Sequence, residues 1–293
     1  MTSGVLIFAH NNREIDYGMM AYVSARYVEK HLKVPISLVT DSGTIDWLNK
    51  KDTSLKTIFD KIILTDDLSR PIPHDKRFYD GSINYKKTVF NNGFRSRSYE
   101  LTPYDQTLVI DTDLLIKNDR LKHIWNSNSD FMINSKHIDL AYDRENSEFQ
   151  RVSEYTVDFY WATAFYFRKT AWTETFFNLC QHISENYDYY RFIYQISYPV
   201  LRNDFIFSIA IHIMNGFTNI TSPEKLPAEI YYTFDRDELY QVNPDGTLVF
   251  LIQKKNSLGQ YTLAKTDNQN IHIMNKYSYN RNITNLLEVL NVN

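Results

Sequence analysis

TLVIDTDLLI, residues 107–116, sets two carboxylates inside an otherwise unbroken apolar run. Thr107–Ile110 has the length and composition of a buried strand. Asp111 and Asp113 are two residues apart, so on a straight strand they share a face, and if the chain turns there both reach a common point. Two acids at the end of a buried strand repel each other unless a cation or hydrogen bonds compensate them. Hard, oxygen-binding ions such as Mg²⁺ or Mn²⁺ are the natural compensation. A pair of surface acids at a solvated strand end is the plainer alternative, but it sits poorly with apolar residues on both sides.

Upstream, GVLIFA (4–9) reads as a first buried strand that ends in the polar loop His10-Asn11-Asn12. Asp16 can cap a following helix, in which Met19, Met20, Val23 and Tyr27 recur at helical spacing and Lys30 falls in the last turn. ISLVTDSG (36–43) and KIILTDD (61–67) supply two more strands, with a short helical stretch at Ile45–Leu48 between them. Strands separated by helix-length connections predict an α/β fold, with a mostly parallel central sheet flanked by helices. The segment Ser69–Tyr99 interrupts this rhythm with prolines, glycines and aromatics, which predicts a long active-site loop.

Downstream, FMINS (131–135) and WATAFYF (161–167) read as strands, AWTETFFNLCQHI (171–183) as an amphipathic helix, and LRNDFIFSIAIHIMNG (201–216) as a helix stopped by Gly216. Beyond residue 220 the pattern turns to short strands and turns, with NPDG (243–246) in a hairpin-like setting. The expected division is a core over 1–220 and a small antiparallel β-rich extension over 221–293 that returns to the active-site edge. IHIMN occurs at 211–215 and again at 271–275, without extended similarity around the two copies, so coincidence outweighs an internal repeat.

The chain of 293 residues carries a formal charge of −3 and one cysteine, Cys180. A globally basic nucleic-acid binder and a disulfide framework are thereby disfavoured, although Lys86, Lys87, Arg95 and Arg97 can form a local basic patch. GVLIFA lacks the basic leader of a signal peptide and no apolar run approaches membrane-spanning length, so the expected setting is the cytoplasm.

PYDQTLVIDTDLLIKND (103–119) resembles the signature of the GT-A glycosyltransferases, especially the glycogenin and bacterial galactosyltransferase relatives. The resemblance implies a Rossmann-like nucleotide-binding sheet, a divalent metal (Mn²⁺ or Mg²⁺) and a nucleoside-diphosphate sugar, UDP-linked, as donor. A metal held by such acids bridges the diphosphate and offsets the charge that grows on it as it leaves. By the same resemblance, Asp111 lies toward the ribose and metal, and Asp113 is the direct ligand. Ala9, His10 and Asn11 are placed around the nucleobase and ribose, and Arg95 or Arg97 near the donor. LRNDFIFS places Asp204 near the sugar, although Phe205 stands where the family has an amide residue. NIHIMNKYS (270–278) resembles the terminal His-x-x-Gly-x-x-Lys motif, in which His272 completes the metal site and Lys276, off the family spacing, meets the diphosphate.

A neutral imidazole at His272, alternating with Ile271 and Ile273, suits a metal ligand, whereas His212 has a helical setting that favours packing. Trp161 and Tyr166 offer flat faces to a sugar or to the core, and Thr163 and Asp158 are candidates for contacts to donor hydroxyls. The acceptor class stays open among a saccharide, a protein and hydroxymethylated DNA, the last through similarity to the small glycosyltransferases of tailed bacteriophages. Transfer with retention follows if the resemblance extends to stereochemistry. Competing functions are a metal-dependent nucleotidyltransferase or phosphatase, since paired acids also organise phosphate chemistry, and a silent carbohydrate-binding protein.

Overall fold

The computed structural model describes every residue except 13, 67–72, 78–84, 90–94, 143, 145–148, 154–156, 198–200, 255–258 and 293, with backbone alone for 73–77, 85–89 and 292. The chain opens with β1 (Ser3–Phe8), α1 (Tyr17–His31), β2 (Ile36–Thr40), α2 (Ser42–Lys51) and β3 (Lys61–Leu64). Asp16 caps α1 by accepting from the Met19 amide at 3.0 Å, and Asp41 caps α2 by accepting from the Thr44 amide at 2.7 Å. Of the expected long loop, the backbone of a strand pair is described, β4 (Pro73–Arg77) and β5 (Tyr85–Val89). The rest of that loop up to residue 94, and the side chains of Lys86 and Lys87, lie outside the described residues.

The middle of the chain gives α3 (Ser98–Leu101), β6 (Gln106–Ile110), β7 (Leu114–Leu115), β8 (Phe131–Ile133), β9 (Ile138–Asp139) and β10 (Ala164–Arg168). Helices α4 (Ala171–Glu185), α5 (Tyr187–Ile193) and α6 (Asn203–Met214) follow. The C-terminal part comprises β11 (Ile230–Thr233), β12 (Glu238–Val242), β13 (Leu248–Gln253), β14 (Tyr261–Thr266), β15 (Asn270–Ile273), α7 (Lys276–Arg281) and α8 (Ile283–Val292).

Six strands form the central sheet in the order β3-β2-β1-β6-β10-β8, parallel except for β10, which runs antiparallel to both its neighbours. Period-two alternation assigns the side chains to two helical layers. Val5 and Ile7, Leu108 and Ile110, and Ala164 and Tyr166 pack with Ala21, Ala25 and Val28 of α1. Leu6 and Phe8, Val109, and Phe165 and Phe167 pack with Phe176 and Phe177 of α4 and Phe207 of α6. Strands buried on both faces explain why their sequences read as continuous apolar runs. The observed architecture is the expected mostly parallel α/β sheet flanked by helices. Among the described residues, no helix is long and apolar enough to cross a membrane.

Strand order reverses at β1, with β2 and β3 laid down on one side and β6 and β10 on the other. Ligands of open α/β sheets bind at the carboxyl ends of strands beside such a reversal. Residues 9–11 leave β1 there, and residues 111–113 leave β6.

The C-terminal part contains the expected antiparallel meander, β12-β13-β14, with the NPDG turn closed by Gly246 at φ 86°. It also contains strands that pair differently. β11 runs parallel to both β9 and β15, and β15 runs antiparallel to β7, in the four-stranded order β7-β15-β11-β9. The chain then ends in helices α7 and α8 rather than in strands.

Candidate metal centre

Strand β6 stops at Ile110, and Asp111–Asp113 make the turn that separates it from β7. The turn is held from three sides. The Asp111 amide donates to Thr163 O at 2.9 Å, the Leu114 amide donates to Asp111 O at 3.2 Å, and Ser24 Oγ on α1 donates to Thr112 O at 2.7 Å. The β7–β15 ladder sets His272 opposite Leu114, and the Ile273 amide donates to Asp113 O at 2.9 Å. A residue remote in sequence is thus fixed beside the acidic turn by backbone pairing.

One ligand atom each from Asp111, Asp113 and His272 lies within 4.8 Å of the others. A single ion with metal–ligand bonds of about 2.0–2.4 Å needs such a spacing. His272 Nε2 stands 3.3 Å from Asp113 Oδ1, while its Nδ1 stands 3.4 Å from Thr163 Oγ1, so the second ring nitrogen is oriented by a neighbour, as metal-ligating histidines usually are. Two carboxylates and an imidazole suit Mn²⁺ or Mg²⁺, and the donor set fits the expected ion.

Among the described residues, two cations join the cluster. Arg95 is ion-paired with Asp111, and its Nη1 donates to Ala162 O at 2.9 Å; Lys276 Nζ stands 2.8 Å from Asp113 Oδ2. Burial pushes the Asp113 carboxyl upward, but Lys276 and His272 outweigh it and hold the group well below the usual carboxylate range. Burial brings the Arg95 guanidinium down to about 10, against the opposing pull of Asp113 and Asp204, which leaves it charged at neutral pH.

Asp204 lies one peptide unit from this cluster. Its Oδ1 accepts from the Ala162 amide at 2.9 Å, and its Oδ2 is paired with Arg202 Nε at 3.2 Å, so it braces the residue whose carbonyl receives Arg95. Arg97 turns away and forms a two-pronged pair with Glu100, at 2.7 and 2.9 Å. Asp158 sits in a backbone bridge with Arg151 and makes no hydrogen bond to the cluster among the described residues.

At the end of β1, the Ala9 amide bonds to Val39 O at 3.0 Å and His10 Nε2 meets Thr65 Oγ1 at 3.0 Å, both residues being buried. The Asn11 side chain ties down the start of α1, accepting from the Gly18 amide at 2.7 Å and donating to Asp16 at 3.2 Å. A cleft of about 450 Å³ opens beside these residues, lined by Asn11, Asp16, Asp41, Thr44 and Trp47 among others. Its acids make it a poor receptor for a diphosphate, and none of the three metal-capable side chains lines it.

Trp161 is 2% exposed and packed against His137, Phe149, Tyr232 and the edge of His272, so it backs the cluster and presents no open face to a sugar. Tyr166 is wholly buried in the core. His212 lies on α6, hydrogen-bonded to Tyr194 Oη at 3.1 Å and packed against Phe217, as the helical reading of the first IHIMN expects. Two neighbours of the site were not anticipated. Tyr17 lies close enough to Asp113 and Lys276 to feel their charges, and His137 stacks on Trp161 at 4.4 Å, with burial first and then the nearness of His272 pushing its imidazole well below its ordinary value. A lone histidine between two short strands carries no periodic signal that would single it out.

No protein-family model and no curated protein matches the chain. Among solved structures, similarity extends to the galactosyltransferase LgtC in complex with donor and acceptor sugar analogs, at 13% identity over 69% of this chain and 68% of that one, with a TM-score of 0.44. The glycosyltransferase GlyE of Streptococcus pneumoniae TIGR4 overlaps at 10% identity over 77% of this chain and 45% of that one, with a TM-score of 0.42. A putative glucose-1-phosphate thymidylyltransferase from Bacillus anthracis overlaps at 8% identity over 77% and 99%, with a TM-score of 0.36. Overlaps this slight leave function to rest on the site itself.

Proposed function

We propose that the protein is a metal-dependent glycosyltransferase that moves a sugar from a nucleoside-diphosphate donor, UDP-linked, to an acceptor hydroxyl. The observation that carries this reading is the convergence of Asp111, Asp113 and His272 at the switch point of the sheet, with Arg95 and Lys276 beside them. Asp111, Asp113 and His272 hold Mn²⁺ or Mg²⁺, which when bound supplies Lewis-acid stabilisation of the departing diphosphate. Lys276 offers a point charge to the phosphates, and Arg95 orients Asp111 while adding a second positive group. The loop Ala9–Asn11 borders the nucleobase and ribose.

Both oxygens of Asp204 are occupied by Ala162 and Arg202, which suits a bracing role near the sugar better than that of a general base. A retaining transfer, which needs no such base, is the favoured route. The acceptor is a saccharide, a protein or hydroxymethylated DNA, and the protein acts in the cytoplasm, of the host if phage-encoded.

The test is a panel of nucleotide sugars in Mn²⁺ against hydroxymethylated DNA, plain DNA and saccharides, with Asp113→Asn as control. Sugar transfer or donor hydrolysis that Asp113→Asn abolishes, with circular dichroism unchanged, supports the reading. Cleavage of nucleoside triphosphates in place of the sugar–phosphate bond would establish the nucleotidyltransferase alternative, and wild-type turnover by Asp113→Asn would remove the metal assignment.

A further inference from the structure

We infer that Lys276 is a built-in counter-ion that competes with the metal for Asp113 and yields it more readily when a diphosphate arrives, so that ion and donor bind as a coupled pair. The inference rests on the metal-site reading above and adds a binding order to it.

Both oxygens of the Asp113 carboxylate are engaged from within the chain, Oδ1 by His272 Nε2 at 3.3 Å and Oδ2 by Lys276 Nζ at 2.8 Å. The carboxylate is 2% exposed, whereas the lysine side chain is 27% exposed, so the ammonium can swing outward and the acid cannot. Lys276 is also the first residue of α7, and no acidic residue accompanies it in the first turn. A cation there faces the partial positive charge of the helix start, an unfavourable placement that the Asp113 contact compensates.

Charge balance points the same way. Arg95 and Lys276 cancel Asp111 and Asp113 charge for charge, and an imidazole that ligates a metal adds no charge of its own. A divalent ion added alone leaves the buried cluster with an uncompensated double positive charge and sets an ammonium close to that ion, in surroundings that screen poorly. A diphosphate diester carries one negative charge on each phosphate, so it restores neutrality and gives Lys276 a new partner. Coupling of this kind is reciprocal: the diphosphate raises affinity for the ion by the factor by which the ion raises affinity for the diphosphate.

The experiment titrates Mn²⁺ by calorimetry into the wild type, Lys276→Met, Lys276→Gln and Asp113→Asn, each without nucleotide and with saturating UDP, after melting curves establish that each variant folds. The Lys276 variants are expected to bind Mn²⁺ about tenfold more tightly than the wild type without nucleotide, the equivalent of removing about 1.4 kcal/mol of competition. The gain in Mn²⁺ affinity caused by UDP should shrink by a similar factor. Unchanged or weaker Mn²⁺ binding in both Lys276 variants, with binding lost in Asp113→Asn, overturns the competition and leaves the metal site standing. Wild-type affinity in Asp113→Asn, or no binding by any variant, overturns both.

Discussion

Replacing Arg144 by Met tests how the strands that carry His272 are held. The Arg144 guanidinium donates to both oxygens of Asp139, at 2.8 and 2.6 Å, and to both of Asp237, at 2.8 and 2.7 Å. It is 7% exposed, Asp139 9% and Asp237 0%, and its plane lies over the Phe234 ring at 4.5 Å. Burial would lower the guanidinium pKa, but the hydrogen bonds it donates to Asp139 and Asp237 reverse this and raise it above its ordinary value. Asp139 ends β9 and Asp237 precedes β12, so the arginine clamps the edge of the four-stranded sheet in which β11 lies between β9 and β15. Met keeps most of the volume and removes the charge, stranding two buried carboxylates. Breaking a buried ion cluster from one side costs about 3–5 kcal/mol. A loss of that size should lower the melting temperature by roughly 10 °C in a chain this long. Urea denaturation at neutral pH measures it directly. Adding Asp139→Asn and Asp237→Asn to Arg144→Met should recover much of the loss, because the stranded charges are then gone. A loss under about 1 kcal/mol in the single variant, or no recovery in the triple one, would refute the reasoning.

The two IHIMN copies should behave oppositely. His272→Ala is expected to weaken Mn²⁺ binding at least about tenfold with little loss of stability, whereas His212→Ala should leave Mn²⁺ affinity unchanged and cost about 1 kcal/mol through its Tyr194 hydrogen bond. Calorimetry and melting of both variants check this, and a larger affinity loss in His212→Ala reverses the assignment. His137 should make the protein acid-sensitive. Its folded pKa lies below the unfolded value of about 6.5, so as pH falls through that value the unfolded chain takes up a proton that the folded chain refuses, and stability falls with it. Between pH 8 and 5.5 the contribution reaches up to about 1.4 kcal/mol, and His137→Phe should remove it. Equal pH slopes for the two proteins in urea would show that the His137 ring protonates freely when folded.

The core of this fold was legible because its strands are buried on both faces. The runs at 4–9, 36–40 and 106–110 could hardly be anything else between helix-length connections, and the acidic interruption at 111–113 marked the end of the last of them. The partner of that turn was legible only in part. The alternation in IHI identified a strand, but its antiparallel pairing with the two-residue β7 follows from tertiary packing, and so does the parallel β11–β15 ladder where turn-rich sequence suggests hairpins. The choice between Arg95 and Arg97 was open in the family resemblance, yet local spacing contained an answer. Glu100 stands three residues after Arg97, within reach across one helical turn, and it claims that guanidinium. Arg95, with no such local acid, is the one carried inward to Asp111.

Lys276 obeys a different logic, since nothing in KYSYNR announces a partner for its first residue. The lysine stands where β15 ends and α7 begins, and the backbone pairing that brings His272 to the acidic turn brings its successor on the chain there too. One ladder therefore delivers both the imidazole that can bind a cation and the ammonium that can take its place. A substitution that slips the β7–β15 register by one residue should disable both at once, because the strand would turn His272 to the opposite face.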